Sequence, residues 1–273
     1  MDVTATAARS GYVLTFEDDF RAPHLDRTRW LPYYLPHWAG RDVSAARYAL
    51  QGRGLHLQIT EEQRPWHPAV DGALRVSSLQ TGVLAGPVGS DAGQHRFHPD
   101  LRVTEPQPDS CLYTPRYGLF EVAFRADLPP GYLGAFWMIG VERHPTQSGE
   151  ICICEVFGHE RDPDGFRVRF GVKAIHDPAL TTDMHSVRIP GRSADLHVYS
   201  AEWTPEHVTF RVDDAVVGQV PQSPAYPMQF MLNIYELPDL LPGGERRGPW
   251  PKTLDVAWVR GWQREVPQVP AHP

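Results

Sequence analysis

Short stretches in which apolar and polar residues alternate recur along this chain, and they constrain its fold more than any other feature. Successive side chains of a β-strand point to opposite faces, so alternation is typical of a strand with one buried face. The clearest examples are residues 119–126, 166–173, 208–213 and 254–260. No segment keeps apolar residues at i, i+3, i+4 and i+7 over three turns, so the sequence predicts no long helix.

Turn-forming residues separate these strands. The chain has 27 prolines and 23 glycines in 273 residues, which is typical of many short strands joined by turns. The Asp213-Asp214 pair lies between two β-rich runs and predicts a hairpin. We therefore predict an all-β fold of two packed sheets, with residues 1–273 forming a single β-sandwich domain. Long loops, which are often functional, are predicted at residues 31–46, 84–116 and 236–252, and residues 267–273 are expected to fray.

Composition excludes several classes of function. The formal net charge of -7 and the lack of a basic stripe argue against a nucleic-acid partner. The sequence has no run of 18 apolar residues, so it predicts no membrane span, and its first residues do not have the pattern of a secretory signal. The three cysteines, Cys111, Cys152 and Cys154, do not have the spacing of a disulfide framework. We therefore expect a cytoplasmic location, although a secreted chain trimmed of its signal would have the same sequence.

Two glutamates interrupt an otherwise apolar strand with the sequence GEICICEVFG at residues 149–158. Carboxylates in such a strand are costly unless they are paired or functional. In a regular strand Glu155 would face away from Glu150, on the opposite and solvated side. A one-residue β-bulge at Ile153-Cys154 would bring both carboxylates into one cleft. A separation of about 5–5.5 Å would then suit a retaining glycosidase. The strand alone leaves both arrangements open.

The strand and its surroundings resemble glycoside hydrolase family 16, the laminarinase, lichenase and agarase-like enzymes that cleave β-linked glucans and galactans. The strand is similar to the family's E-x-D-x-x-E motif. The most specific segment is LHVYSAEWTP at residues 196–205, which resembles the family's Y-x-x-E-W-T-P. Other matching segments follow in family order: FEDDF (16–20), LDRTRW (25–30), YGLFEV (117–122), AFWMIG (135–140), VDD (212–214), PMQFMLN (227–233) and DVAWVR (255–260).

This resemblance implies a curved, concanavalin A-like jelly roll over about residues 13–262, with the substrate cleft on its concave sheet. It implies a retaining, endo-acting hydrolase with Glu150 as nucleophile and Glu155 as general acid/base. Cys152 stands where the family has an aspartate that holds the nucleophile. A thiol is a weak hydrogen-bond donor, and two flanking carboxylates should keep it protonated and poorly nucleophilic. Activity could therefore be slow, tuned to another substrate, or absent.

Substrate-binding residues are also expected from the resemblance. The candidates are Trp137, His176, Asn233, Tyr132, Trp38 and Tyr34. Many family members carry a tryptophan shortly before the Trp137 position, and here Tyr132 or the loop aromatics Tyr34 and Trp38 could take that role. His176 could bond a sugar hydroxyl or Glu155, or simply end a strand. Asn233 and Tyr235 lie in a strand that the resemblance places at the cleft.

No cofactor or catalytic metal is expected. Zinc at Cys152 and Cys154 with His159 is disfavoured, because zinc needs four suitable ligands, and the expected bulge at Ile153-Cys154 would turn these two cysteines to opposite faces. The resemblance allows a structural calcium with Asp255 as a contributor. The expected partner of this monomer is a polysaccharide or oligosaccharide. Two rival functions are a catalytically silent carbohydrate-binding protein and a cytoplasmic enzyme with a recruited, non-glycosidic activity.

Overall fold

The structure is a computed structural model that describes residues 9–52 and 54–265, so the tail predicted at residues 267–273 lies outside the described residues. The strands, numbered in chain order, are β1 (Tyr12–Asp18), β2 (Arg47–Leu50), β3 (Leu55–Ile59), β4 (Arg75–Gln80), β5 (Gly82–Val83), β6 (Ser110–Cys111), β7 (Gly118–Arg125), β8 (Tyr132–Gly140), β9 (Glu150–Phe157), β10 (Arg161–Asp162), β11 (Gly165–Lys173), β12 (Asp183–Pro190), β13 (His197–Trp203), β14 (Val208–Val212), β15 (Ala215–Val220), β16 (Met228–Glu236) and β17 (Lys252–Arg264).

Two antiparallel sheets contain nearly all of these strands. The first has the order β15-β14-β13-β7-β17-β3-β2, with β1 also paired to β17. The second, which we call the cleft sheet, has the order β10-β11-β9-β8-β16-β4, with β12 also paired to β11. Strands distant in sequence are neighbours in both sheets, as in a jelly roll. The predicted all-β sandwich is confirmed.

The helices are short. The described residues contain α1 (Pro36–Ala39), α2 (Arg41–Ser44) and α3 (Pro68–Asp71), with 3₁₀ turns at Pro238–Leu240 and Pro242–Gly244. The prediction of no long helix is confirmed for this part of the chain, and none of its helices is long and apolar enough to cross a membrane.

The predicted hairpin turn at Asp213-Asp214 is confirmed. Both residues have left-handed backbones, with φ of 49° and 66°, as a type I′ turn between β14 and β15 requires. The Asp213 carboxylate accepts hydrogen bonds from the Val198 N–H at 2.9 Å and from His197 Nδ1 at 2.7 Å. Side-chain bonds of this kind allow an aspartate to tolerate the left-handed conformation.

Two apolar clusters lie on the two faces of the cleft sheet. The larger fills the space between the sheets and includes Phe120, Phe136 and Phe230. The smaller lies on the outer face, where residues of the predicted loops 31–46 and 84–116 cover part of the sheet. Because both faces are covered, β8 and β16 are buried along their whole lengths. The loops therefore cover the outer face of the cleft sheet at β8 and β16.

Candidate active site

A β-bulge in β9 brings the two glutamates of the motif to one face. In the register with β8, Cys154 pairs with Phe136 but Cys152 pairs with Trp137, which leaves Ile153 as an extra residue. The predicted bulge is therefore confirmed. Ile153 and Cys154 pack in the core between the sheets. The side chains of Glu150, Cys152 and Glu155 converge on the outer face, where an oxygen or sulfur atom of each lies within 4.8 Å of the others.

Lys173 joins these carboxylates from the neighbouring strand. It lies directly opposite Glu150 in the register of β11 and β9. Its Nζ is 2.8 Å from Glu150 Oε1 and 3.5 Å from Glu155 Oε1. Sequence reasoning missed this residue. A signal was present, because the chain has 24 arginines but only two lysines, Lys173 and Lys252.

Burial dominates the electrostatics of the motif. It raises the pKa of Glu150 against the opposing charge of Lys173. It also raises the pKa of Glu155, where Lys173 opposes the shift and the Glu150 charge adds to it. Burial and then the Glu155 charge raise the pKa of Cys152 well above its usual value, so the thiol is protonated. Its Sγ–H donates to the Arg169 carbonyl oxygen at 3.9 Å.

Burial alone would lower the pKa of Lys173, but the acidic groups around it prevail and raise that pKa above its usual value. Lys173 is therefore a permanent cation between the two carboxylates. A metal ion bound by Glu150, Cys152 and Glu155 would compete with this ammonium group for the same oxygens. The donor set thus fits a carboxylate pair with an organic counter-ion better than a metal centre.

Aromatic side chains enclose the carboxylates in a pocket of about 150 Å³. Tyr34 and Trp137, two of the predicted substrate-binding residues, line this pocket. Tyr235 also lines it and lies edge-on to Tyr34, with a ring separation of 5.7 Å. His95 also lines it and lies 5.1 Å from the Trp137 ring. Sequence reasoning missed His95, because nothing in a loop sequence indicates which side chain folds back onto the sheet. Burial lowers the pKa of His95 to about 3, so the ring is neutral.

Two predicted sugar-binding aromatics are not at the cleft. Tyr132 points into the sandwich, because it is five residues before Trp137 in one continuous strand and an odd spacing changes the face. Its hydroxyl donates to Glu236 Oε2 at 2.7 Å. Trp38 has no exposed surface, and its Nε1–H donates to the Gln94 carbonyl at 2.9 Å. Trp38 thus supports the covering loop instead of contacting a substrate, and both predictions of direct binding were wrong.

Asn233 and His176 take indirect positions. Asn233 is fully buried, and its Oδ1 accepts a hydrogen bond from Trp137 Nε1, so it orients that ring. His176 follows the end of β11 and is exposed, and its Nε2–H donates to the Arg96 carbonyl at 2.8 Å. The alternative in which His176 bonds Glu155 is therefore not the observed arrangement. Asp255, the calcium candidate, accepts from His56 Nδ1 at 2.6 Å, and calcium binding stays a prediction.

A second cavity of about 560 Å³ lies next to this pocket. Glu142, Arg96 and His176 line it, and one Glu142 oxygen accepts the His95 N–H at 2.6 Å. Burial raises the pKa of Glu142 to about 8. His95, Glu142 and Ile175 have φ of 54°, 56° and 52°. Left-handed backbone at non-glycine residues is costly and concentrates at functional sites, which makes this cavity a candidate extension of the pocket.

Comparisons with known proteins found a matching family model and several similar proteins. Residues 109–253 match the family model described as glycosyl hydrolases family 16. A β-glucanase of Rhodothermus marinus is 34% identical over 110 residues, which are 38% of each chain. A GlcNAcα1-4Gal releasing endo-β-galactosidase from Clostridium perfringens is similar at 30% identity and a TM-score of 0.80, over 94% of this chain and 63% of that one. A laminarinase from Flavobacterium sp. UMI-01 has 16% identity and a TM-score of 0.63, over 92% and 100%.

The chain thus spans less than two thirds of the β-glucanase and of the endo-β-galactosidase. The similarity to the laminarinase, at 16% identity, concerns the fold alone.

Proposed function

Because this chain belongs to glycosyl hydrolase family 16, we propose that it hydrolyses β-glycosidic bonds of a polysaccharide or oligosaccharide with retention of configuration. The observation that carries the proposal is the bulge in β9, which places Glu150 and Glu155 on one face with side-chain oxygens within 4.8 Å. This short separation suits direct attack by one carboxylate, whereas an inverting enzyme needs about 6.5–9.5 Å to hold a water molecule.

The two carboxyl groups would act in succession. A Glu150 oxygen attacks the anomeric carbon while Glu155 donates its proton to the departing glycosidic oxygen, which leaves a glycosyl ester on Glu150. Glu155, now a carboxylate, then takes a proton from water as the water oxygen attacks the same carbon and releases Glu150. The raised pKa of Glu155 favours the protonated form that the first step needs.

We further propose a β-galactosidic substrate that is cut within a chain. The support is the endo-β-galactosidase from Clostridium perfringens, which is similar over 94% of this chain with a TM-score of 0.80. The glucanase structures have 15–18% identity and TM-scores near 0.6. A galactoside and a glucoside differ only in the orientation of one hydroxyl group. The polar groups of the pocket, such as the Tyr34 and Tyr235 hydroxyls and Lys173, would discriminate between them.

A substrate panel tests both proposals. Wild-type protein is expected to release products from oligosaccharides with internal β-galactosyl linkages faster than from β-1,3- or mixed-linkage glucans, with the product initially in the β-configuration. Reducing-sugar release and NMR of the first product measure the two properties. Faster cleavage of a glucan would contradict the substrate proposal, and an initial α-anomer would contradict the retaining mechanism.

The second candidate function is carbohydrate binding without turnover, which is favoured by Cys152 at the position of the motif aspartate. Cys152→Asp distinguishes the two. In an active hydrolase this change should alter kcat modestly, because Glu150 already has Lys173 as its partner. If the wild type binds oligosaccharides but releases nothing, while Cys152→Asp gains turnover, the protein is a binding protein on a hydrolase scaffold. Calorimetry with the same ligands provides the binding measurement.

The second cavity is proposed to hold a further sugar unit of the substrate, with Glu142 as a hydrogen-bonding group. Glu142→Gln keeps an oxygen that can accept the His95 N–H. We expect KM for a long oligosaccharide to rise roughly 2- to 10-fold, the equivalent of one hydrogen bond of about 0.5–1.5 kcal/mol. KM for a short aryl β-galactoside should stay unchanged. Equal effects on both substrates would contradict a separate sugar site in this cavity.

The same variant offers a pH test. The Glu142 pKa of about 8 means that the carboxyl changes from neutral to charged as pH rises through that value. Wild-type KM for the long substrate should therefore change between about pH 7 and pH 9, and the Glu142→Gln profile should lack this change. The Glu142→Gln profile is the control for other groups that titrate in the same range.

A further inference from the structure

Lys173 is placed to act on both carboxyl groups of the motif. It projects from β11 directly across from Glu150, so its position is determined by the pairing of two central strands. Its Nζ contacts Glu150 at 2.8 Å and Glu155 at 3.5 Å. The ammonium group is partly exposed at the pocket, whereas the Glu150 side chain is only 5% exposed. A buried carboxylate is costly without such a partner.

Cys152 cannot provide this support. It occupies the motif position between the two glutamates, but its protonated thiol donates to the Arg169 carbonyl. A thiol hydrogen bond is weak and carries no charge, so it cannot offset the desolvation of Glu150. The ionic partner of Glu150 therefore comes from the adjacent strand instead of from its own motif.

The charges of the three groups indicate their resting state. Two ionised carboxylates and one ammonium group sum to -1, and a single added proton makes the cluster neutral. In a buried site the neutral combination is favoured. The proton is expected on Glu155, because Lys173 lies closer to Glu150 and favours its ionised form. This distribution is the one that nucleophilic attack by Glu150 and proton donation by Glu155 require.

We infer that Lys173 is a positioning residue that replaces the motif aspartate: it holds Glu150 ionised and in place and leaves the proton on Glu155. The inference rests on the proposed hydrolase function. In the glycosyl ester Glu150 has no charge, so Lys173 then stabilises the carboxylate that Glu155 has become. One cation thus serves both halves of the reaction without itself gaining or losing a proton.

Other groups near the pair do not duplicate this role. Burial raises the pKa values of the Tyr34 and Tyr235 hydroxyls, which stay neutral, and His95 is neutral because burial lowers its pKa to about 3. Arg169 acts on Glu155 at longer range, but its guanidinium is paired with Glu160, with Nε 3.2 Å from Glu160 Oε2. Among the described residues, Lys173 is the cation that forms ion pairs with Glu150 and Glu155.

The pH profile of kcat/KM tests the inference. Lys173→Met removes the cation, which should raise the pKa values of both Glu150 and Glu155. The reaction needs Glu150 ionised for attack and Glu155 protonated for proton donation. Both limbs of the profile should therefore move to higher pH, by at least about one unit, since a cation within 4–6 Å lowers a carboxyl pKa by that amount or more. Activity below the optimum should fall at least about tenfold.

Two controls separate this effect from structural damage. Lys173→Arg retains the charge and should keep the wild-type limbs even if kcat falls. Lys252→Met removes the other lysine, whose Nζ donates to the Pro249 carbonyl, and should not move the profile. A Lys173→Met enzyme that loses activity equally at every pH would overturn the inference.

Rescue by the motif aspartate provides a second test. An aspartic acid at position 152 can donate its O–H to Glu150 and favour the ionised form, as the thiol cannot. Cys152→Asp should therefore raise kcat of the Lys173→Met enzyme at least about tenfold, and by a larger factor than it changes kcat of the wild type, a non-additive pattern that marks two groups with one role. Additive effects of the two substitutions would contradict the replacement of the aspartate by Lys173.

A measurement without substrate keeps this inference separate from the hydrolase proposal. Lysine labelled with ¹³C at Cε should give two NMR signals, because the chain has two lysines, and Lys252→Arg assigns them. The Lys173 signal should titrate at higher pH than the Lys252 signal, and Glu150→Gln should lower the pH at which it titrates. If these shifts occur but no glycan is cleaved, the ion pair stands and the hydrolase proposal fails. If Lys173 titrates like Lys252 in an active enzyme, the inference fails alone.

Discussion

Replacing Glu150 by glutamine is expected to lower kcat on the order of 10⁴-fold or more, because the amide cannot form the glycosyl ester on which both reaction steps depend. Glu155→Gln should be similarly damaging toward natural glycosidic bonds but much less so toward aryl glycosides, whose leaving groups need no proton. Initial rates on both substrate types measure the difference. Glu206→Gln, at an exposed site in the turn between β13 and β14, is the matched control and should retain activity.

Azide distinguishes the two roles by stereochemistry. In Glu150→Gly, azide can occupy the nucleophile's space and attack the anomeric carbon of a β-glycoside from the α-face, which gives an α-glycosyl azide. In Glu155→Gly, the ester on Glu150 still forms from an aryl β-glycoside, whose phenolate leaves without a proton, and azide attacks the ester from the β-face, which gives a β-glycosyl azide. NMR of the isolated azides reads the configuration. The opposite assignment of products would reverse the roles of the two glutamates, and no azide product from either variant would contradict covalent catalysis.

Glu236→Ala is expected to destabilise the protein by about 3–5 kcal/mol, the effect of breaking a buried ion pair from one side. Glu236 is fully buried at the end of β16, and its carboxylate lies 2.8 Å from Arg75 Nη1 and 2.8 Å from Arg246 Nε. It also accepts the Tyr132 hydroxyl at 2.7 Å. Removing it leaves two partly buried guanidinium groups without this partner and an unpaired phenol in the interior.

Denaturant unfolding measures this loss, with the slope of the transition checked against wild type. Tyr132→Phe is the matched variant, because it removes one hydrogen bond to the same carboxylate and leaves both ion pairs. It should cost about 1 kcal/mol. If Glu236→Ala costs no more than Tyr132→Phe, the two arginine contacts contribute little and the network is not essential to the fold.

The alternation of residues along the chain was enough to predict the strands and the sandwich. Strand periodicity is a local property, and each predicted strand forms because its apolar side chains face one core. The bulge could also be proposed from local sequence, since two glutamates five residues apart share a face only if one residue is inserted. The same parity argument would have placed Tyr132 inside the sandwich, because it is an odd number of residues from Trp137 in an unbroken strand.

The sequence by itself thus determined the fold class, the strand that carries the motif and the pair of carboxyl groups on it, because these depend on spacing within single strands. Only the tertiary structure decided what surrounds them. Lys173 reaches Glu150 through the register between β9 and β11, and His95 reaches Trp137 because a distant loop folds over the sheet. Trp38 became a support for that loop instead of a sugar platform. Register and loop packing depend on contacts between segments far apart in sequence, and periodicity within one segment carries no information about such contacts.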